Sequence, residues 1–356
     1  MSGRTTGHTF YIRRVIITID DFFQRRGSLP VVDVRSEGEF EAGHIPGAVN
    51  IPLLNNAERI VVGTTYKQQG QKAAIREGFR LVGPRLKDIV GQAEKVGSEF
   101  IVHCWRGGMR SANFCDFVRM IGIRTHAVKG GYKAYRKAVL DSFTLPFQFR
   151  IISGLTGSGK SDLLRALRAL GEQVIDFEGL ARHKGSVFGG LNMPPQPTTE
   201  QFQNDLFEQI LNLDITRPIW IEDESIAIGK IFLPSPLWKT MNAHPIIRIN
   251  VPMEERLARL VQEYGQVPPE MFIDCMKGIL KRLGGQNFNE ASEKLRAGDP
   301  AGAIEIVLTY YDKAYGKALE RKRERVARDL SWDGKDVSSF AQVLSNEALT
   351  LSNVSS

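Results

Sequence analysis

Apolar residues recur along this chain at two different spacings. LPVVDV (29–34) and EFIVHC (99–104) are short, continuous and rich in β-branched residues, the pattern of strands buried on both faces of a parallel sheet. Between them, AAIREGFRLVGPRLKDIVGQAEKV (73–96) carries apolar positions at helical intervals. RSANFCDFVRMIG (110–122) reads as a further helix, and THAVKGGY (125–132) as a strand running into a turn. Strands alternating with helices predict an α/β unit built on a parallel sheet. From 149 the pattern restarts. FRIISG (149–154) is a strand, SDLLRALRAL (161–170) an amphipathic helix and EQVIDFEG (172–179) a strand. The Gly/Pro-rich stretch 183–199 is too long and irregular for a tight turn. Then come a helix (201–213), the strands PIWIEDES (218–225) and PIIRINVP (245–252), and a helix (253–264). Residues 267–330 read as mostly helical, and 333–356 as a flexible polar tail.

A length of 356 residues suits two such units, and an apolar fraction of 42% suffices for real cores. No apolar run approaches the ~18 residues that span a bilayer, and the N-terminus lacks a leader's apolar segment. Cys104, Cys115 and Cys275 have no CxxC spacing, which disfavours a structural zinc site and fits a reducing compartment. The expected location is therefore cytoplasmic, with no membrane contact. A net charge of +7 is compatible with a polyanionic partner, and equally with a basic protein that binds no nucleic acid.

GLTGSGKS (154–161) matches G-x-x-x-x-G-K-[ST], with an apolar strand entering and a helix leaving. In that setting Gly154, Thr156, Gly157, Ser158 and Gly159 turn backbone N–H groups toward a phosphate or diphosphate. Lys160 adds a point charge, and Ser161 can ligate Mg²⁺. Glu222 and Asp223, at the end of PIWIEDES, are either water-mediated Mg²⁺ contacts or a solvated strand end. Arg182, His183 and Lys184 either reach an anion or form a solvated turn. Arg256 and Arg259 share a helix face, as a diphosphate clamp or as a plain polar face.

HCWRGGMRS (103–111) puts Cys104 at a strand end, in a glycine-bearing loop that opens a helix. Free N–H groups there, with Arg106 and Arg110 nearby, favour a thiolate. A thiolate attacks sulfur, selenium or phosphorus electrophiles, and the loop N–H groups can hold the resulting anion. Cys115 and Cys275 read instead as small hydrophobes.

Upstream, DVRSEGEFEAGHIPGAVNIP (33–52) resembles the rhodanese signature through Asp33, Arg35, Glu39, Phe40, Gly43, His44 and Asn50. In that family the loop cysteine carries a chalcogen, and His44 is then a packing or hydrogen-bonding residue. Simple sulfurtransferases of this fold use a six-residue loop, whereas Cys104 to Arg110 spans seven. The spacing H-C-x5-R-S also matches cysteine phosphatases, so the loop could accommodate a tetrahedral donor such as selenophosphate. GGYKAYR (130–136), GLTGSGKS, VGTTYKQQG (62–70), FEGLARHKGSVFG (177–189), IEDES (221–225), RLGGQ (282–286) and YYDKAY (310–315) extend the likeness. Together, to about residue 330, the chain resembles the tRNA 2-selenouridine synthase family. One departure is Ile226, where a basic residue is expected after Ser225, so no anion contact is expected from that position.

The resemblance implies an α/β fold. An N-terminal rhodanese-like parallel-sheet domain (1–145) precedes a P-loop NTPase-like domain with a helical C-terminal part (146–332). It implies conversion of 2-thiouridine at wobble position 34 of the tRNAs for Lys, Glu and Gln to 2-selenouridine. The route passes through an S-geranyl intermediate, with geranyl diphosphate and selenophosphate as co-substrates. Cys104 would carry selenium, held by Arg106 and Arg110, and Lys160 would stabilise the departing diphosphate. Trp105, Tyr132, Lys133, Tyr135 and Arg136 are candidate contacts to the anticodon loop, the tyrosines alternatively being packing residues. A monomer served by a selenophosphate-producing enzyme completes the expectation. The rival reading is a rhodanese-fold cysteine phosphatase or sulfurtransferase fused to a P-loop kinase-like domain.

Overall fold

The computed structural model describes residues 15–352, without the side chains at 314, 315, 317–319, 321 and 348–352. The stretch MSGRTTGHTFYIRR and the end of the expected tail, 353–356, lie outside the described residues. The chain forms two compact units that divide between Asp141 and Ser142.

The first unit is built on five strands: β1 (Val15–Ile17), β2 (Val31–Asp33), β3 (Val49–Asn50), β4 (Glu99–His103) and β5 (Arg124–Val128). Their order is β1-β5-β4-β2-β3, with every neighbouring pair parallel. Central β2 and β4 are buried along nearly their whole length, which is why they read as unbroken apolar runs. Helix Met109–Arg119 leaves the loop after β4 and sends Phe114, Cys115 and Val118 into the core. Cys115 is thus the small hydrophobe its sequence context suggested. Three helices begin with reciprocal capping boxes, Thr18 with Asp21, Ser36 with Glu39 and Asn55 with Glu58.

The second unit contributes β6 (Phe149–Gly154), β7 (Gln173–Val174), β8 (Ile219–Glu222), β9 (Ala227–Ile228), β10 (Ile231–Phe232), β11 (Ile246–Asn250) and β12 (Val326–Ser331). Its sheet runs β12-β11-β6-β8-β7, all parallel, while β9 and β10 form a separate antiparallel hairpin. Helix Lys160–Ala169 follows β6 and buries Leu163, Leu164 and Leu167. Three expectations need correction. The strand read over 172–179 stops at Val174, because Asp176 accepts the Gly179 N–H and starts the short helix Phe177–Ala181. Val326–Ser331 pairs with β11 as an edge strand, where the stretch up to 330 read as mostly helical. The region read as a loose tail contains helix Val337–Ser352, which packs on Lys160–Ala169 and buries Phe340, Ala341 and Leu344. Trp332 stacks on Phe340 at 5.1 Å. A polar Ser/Asn surround had masked this apolar stripe. Among the described residues no helix is long and apolar enough to cross a membrane.

Candidate active site

Cys104 lies at the floor of the loop between β4 and helix Met109–Arg119 and is only 3% exposed. Its Sγ accepts the Gly108 N–H at 3.3 Å and lies 3.3 Å from Ser111 Oγ. The Gly108 N–H is a donor available to a sulfur or selenium anion, while the Ser111 hydroxyl donates to the Gly108 carbonyl at 3.1 Å and reaches the anion by rotating about its C–O bond. Ser111 is a contact that sequence reasoning passed over, although the H-C-x5-R-S spacing contains it. The glycine pair downstream explains how the loop is held. A Cβ on Gly131 (φ +58°) would stand 2.2 Å from the Cys104 carbonyl oxygen. That close approach lets the N–H groups of Tyr132 and Lys133 donate to the carbonyls of Cys104 and Trp105, at 2.8 and 2.9 Å.

The two tyrosines are buried, so of the two readings left open for them the structure supports packing over RNA contact. Tyr132 is fully buried beneath the Arg35 guanidinium at 3.8 Å and beside His103 and Trp105. Tyr135, equally buried, packs on Phe22 and Phe23. Trp105 is 37% exposed, and Arg106 and Lys133 are exposed while Arg136 is partly so. Arg110 donates to both carboxylate oxygens of Glu39, at 2.6 and 3.2 Å, and Arg59 reaches the same carboxylate at 3.0 Å. Burial works against the charge on Glu39, yet Arg110, the Ser36 N–H and Arg59 together outweigh it and hold the carboxyl below its ordinary range. Arg110 therefore braces the cysteine loop against helix Glu37–Ala42 instead of donating to the thiol.

The signature residues 33–50 are scaffolding. Buried Arg35 forks onto buried Asp33 and also donates to the Gly43 carbonyl at 2.7 Å. The Asn50 amide donates to the carbonyls of Asp33 and Arg35. Removing one member of such a buried pair costs about 3–5 kcal/mol. His44 stacks on Phe40 at 3.9 Å with Nδ1 2.9 Å from the Phe40 carbonyl oxygen, the packing role expected of it. Burial holds fully enclosed His103 below its ordinary pKa despite the Asp33 carboxylate, so it is neutral.

In the second unit, Gly157 and Gly159 adopt positive φ, and a Cβ on Gly159 would meet the Arg259 guanidinium at 2.8 Å. Arg256 donates to the Thr156 carbonyl at 3.1 Å and forks onto Asp312 at 2.8 and 2.6 Å. Buried and paired in this way, Arg256 shapes the loop and is no diphosphate contact. Arg259 donates to the carbonyls of Gly157 and Gly334, and it also lines the cavity in front of the loop. Lys160 Nζ donates to the Gly154 carbonyl at 3.2 Å, and Ser161 Oγ to Glu178 at 3.1 Å.

The acidic end of β8 divides by burial. Glu222 is enclosed and accepts the Glu178 N–H. Burial, reinforced by Asp176, Glu178 and Glu224, raises its pKa well above the ordinary carboxylic value. Enclosed and outside the lining of the cavity in front of the loop, Glu222 is neither a solvated strand end nor a residue facing the metal or diphosphate position that sequence suggested. Asp223 accepts from Ser153 and from Lys322 at 2.7 Å, so Lys322 supplies a cation to this corner where Ile226 does not. Glu224, the third acid of PIWIEDES, faces the cavity, as does Glu178, which the sequence reading did not single out. Ser161 and Glu178 are hard oxygen donors that fit Mg²⁺, leaving other positions to water and phosphate. No group of three His, Cys, Asp or Glu side chains among the described residues could hold a metal unaided.

The cavity measures about 400 Å³. The 154–161 loop, Glu178, Glu224 and Lys322 line it together with Phe188, Leu260, Phe272, Ile304, Val307 and Leu308, which belong to one apolar cluster. Burial and Glu178 push Glu224 up to about 8, with Lys160 pulling the other way. Glu224 is neutral below that value and adds a negative charge above it. Inorganic pyrophosphate should therefore bind fully below pH 8 and about tenfold more weakly once pH has risen through it. Calorimetric titration at pH 7 and pH 9 checks this, and Glu224→Gln should remove that part of the dependence.

Residues 147–347 match the family model described as the tRNA 2-selenouridine synthase AAA domain, and residues 19–138 match the rhodanese-like domain. The tRNA 2-selenouridine synthase of Nitrosomonas europaea is 33% identical, over 83% of this chain and 90% of that protein. The same-named protein of Pseudomonas entomophila is 34% identical, over 88% and 92%. Among solved structures, the N-terminal domain of a putative ATP/GTP binding protein from Clostridium difficile is 42% identical. That match covers 35% of this chain and 98% of that domain, with a TM-score of 0.33. By the family model and these full-length relatives, the chain belongs to the tRNA 2-selenouridine synthase family.

Proposed function

We propose that the protein converts wobble 2-thiouridine of the tRNAs for Lys, Glu and Gln to 2-selenouridine in two steps. In the first, the 2-thio sulfur attacks geranyl diphosphate, a sulfur–carbon bond forms, the carbon–oxygen bond breaks and diphosphate leaves. In the second, the S-geranyl nucleoside, selenophosphate and water give 2-selenouridine, geranylthiol and phosphate. Alkylation makes the sulfur at C2 a leaving group, which is the chemical reason for using a prenyl donor. The observation that carries this reading is the mixed lining of the 400 Å³ cavity, by the phosphate loop and by members of one apolar cluster. A phosphate loop beside a hydrocarbon wall suits a diphosphate with a prenyl tail better than a polar nucleotide.

The N–H groups of residues 154–161 and the Lys160 ammonium stabilise charge on the leaving diphosphate. Mg²⁺ held by Ser161 and Glu178 would neutralise more of it. Cys104 carries selenium, with the Gly108 N–H as donor to it and the Ser111 hydroxyl 3.3 Å from the sulfur. Such a perselenide is two electrons more oxidised than selenide. A thiol–disulfide couple takes up those electrons on loading and returns them on discharge, so the net exchange moves none. Arg110 positions the loop through Glu39, and exposed Arg106 supplies positive charge nearby. Trp105 offers a stacking face for a splayed base, with Lys133 and Arg136 for phosphates.

Reconstitution with 2-thiouridine tRNA, geranyl diphosphate and selenophosphate, each omitted in turn, tests the order. Without selenophosphate, S-geranylated nucleoside should accumulate, and without geranyl diphosphate the RNA should stay thiolated. Full selenation in the absence of geranyl diphosphate overturns the two-step reading. ATP hydrolysis that ignores tRNA would favour the kinase-like rival.

A further inference from the structure

We infer that the first unit carries a second hydrocarbon site, which receives the geranyl chain of the S-geranylated nucleoside while selenium replaces sulfur at C2. The inference rests on the two-step reading above. A groove of about 150 Å³ runs between the helical pair Asn56–Gln69 and Gln71–Val82 and the helix Met109–Arg119. Leu53, Leu54, Val62, Ile75 and Phe117 line it, and Met109 and Arg110 join them. Those last two residues belong to HCWRGGMRS, so the groove and the cysteine loop share a wall. Its rim is apolar and open to water: Tyr66, Phe79 and Met109 are 57%, 61% and 45% exposed. An apolar slot ringed by exposed apolar side chains marks a binding surface.

Size and chemistry select the occupant. A dry cavity of about 150 Å³ holds a benzene-sized hydrocarbon. A ten-carbon chain would fill the slot and continue over Tyr66 and Phe79. A protein partner needs roughly 800 Å² of matching surface, far more than this slot offers. During exchange, the selenium on Cys104 bonds to C2 and the C2–S bond breaks, the geranylthiolate taking a proton from water. A thiol then cleaves the Se–S bond, forming a disulfide with Cys104 and releasing the 2-selenouridine. The chain on that sulfur lies within a few bonds of the attacked carbon and hence close to the selenium-bearing loop. An apolar slot in the wall of that loop keeps the chain out of water and points the leaving sulfur away from the incoming selenium. The apolar wall of the phosphate-loop cavity is a separate feature and serves the donor.

Gly78 provides a clean probe. It lines the groove, its φ is not in the left-handed region, and an added Cβ meets nothing within 4 Å. Gly78→Leu should fill the slot without displacing a neighbour, and Phe79→Ser should strip its rim at an exposed position. The assay is selenation of a pre-made S-geranyl anticodon stem-loop by the full-length protein. Each variant should raise KM about tenfold or more, with geranyl transfer to 2-thiouridine RNA and the rate of Cys104 alkylation by iodoacetamide unchanged. Wild-type KM in both variants overturns the second site, as does an equal loss of geranyl transfer or of Cys104 alkylation. Failure of the wild-type protein to selenate S-geranyl RNA instead sinks the two-step reading itself.

Discussion

A Cys104→Ser variant should make S-geranylated tRNA and stop there. Serine keeps the size and the hydrogen-bond geometry at this position, where the Gly108 N–H and Ser111 hydroxyl both lie 3.3 Å from the sulfur. What it removes is a soft nucleophile able to form a bond to selenium. Loss of a nucleophile commonly costs a thousandfold or more, so selenation should fall by at least about that factor. The prenyl donor's proposed cavity is lined wholly by residues of the other unit, so geranyl transfer should proceed at its normal rate. Mass spectrometry of digested nucleosides reads both products in one sample. Selenation at the wild-type rate would mean that selenophosphate attacks C2 directly and that Cys104 has no carrier role. Absence of the geranylated nucleoside would mean that the two chemistries are not separable.

What could be read along the chain was whatever is encoded in local spacing. The phosphate loop is recognisable because its glycines, Lys160 and Ser161 are contiguous and sit between a strand and a helix. The segment 33–50 is recognisable for the same reason, although its residues turn out to hold each other and not a substrate. Long-range partners were illegible. Nothing near Arg256 announces that Asp312 will occupy its fork, and nothing near Asp223 announces Lys322. The tyrosines of GGYKAYR look like base-stacking residues until Arg35, nearly a hundred positions earlier, is found over one ring. Burial decided the acids: Glu222 and Glu224 are two residues apart, yet one is enclosed and the other lines the cavity. The hydrocarbon wall was hidden for a related reason, since it is assembled from residues 188, 260, 272 and 304–308 on separate helices and a loop. The C-terminal helix escaped notice because the apolar positions of VSSFAQVLSNEALTLS are interspersed with Ser, Asn and Thr, a weak signal until a partner helix is present.

Lys160→Ala should lose geranyl transfer by about a hundred- to a thousandfold, the usual cost of removing one preorganised donor from a developing negative charge. The loop itself should survive. Its carbonyls are braced by Arg256 at Thr156 and by Arg259 at Gly157, and Arg256 is anchored in turn by Asp312. The Lys160 contact to the Gly154 carbonyl is a single hydrogen bond at 3.2 Å, so thermal melting should move little. A second consequence follows from charge. Lys160 is the group that opposes protonation of Glu224, so its removal should push Glu224 still further up and shift the pyrophosphate-binding transition above pH 8. Selenation of pre-geranylated RNA should continue at the wild-type rate, because that step draws on the Cys104 loop. Undiminished geranyl transfer by a folded Lys160→Ala protein would separate the phosphate loop from the prenyl donor. The cavity's hydrocarbon wall would then need a different ligand, and the sulfur-activating step a different site.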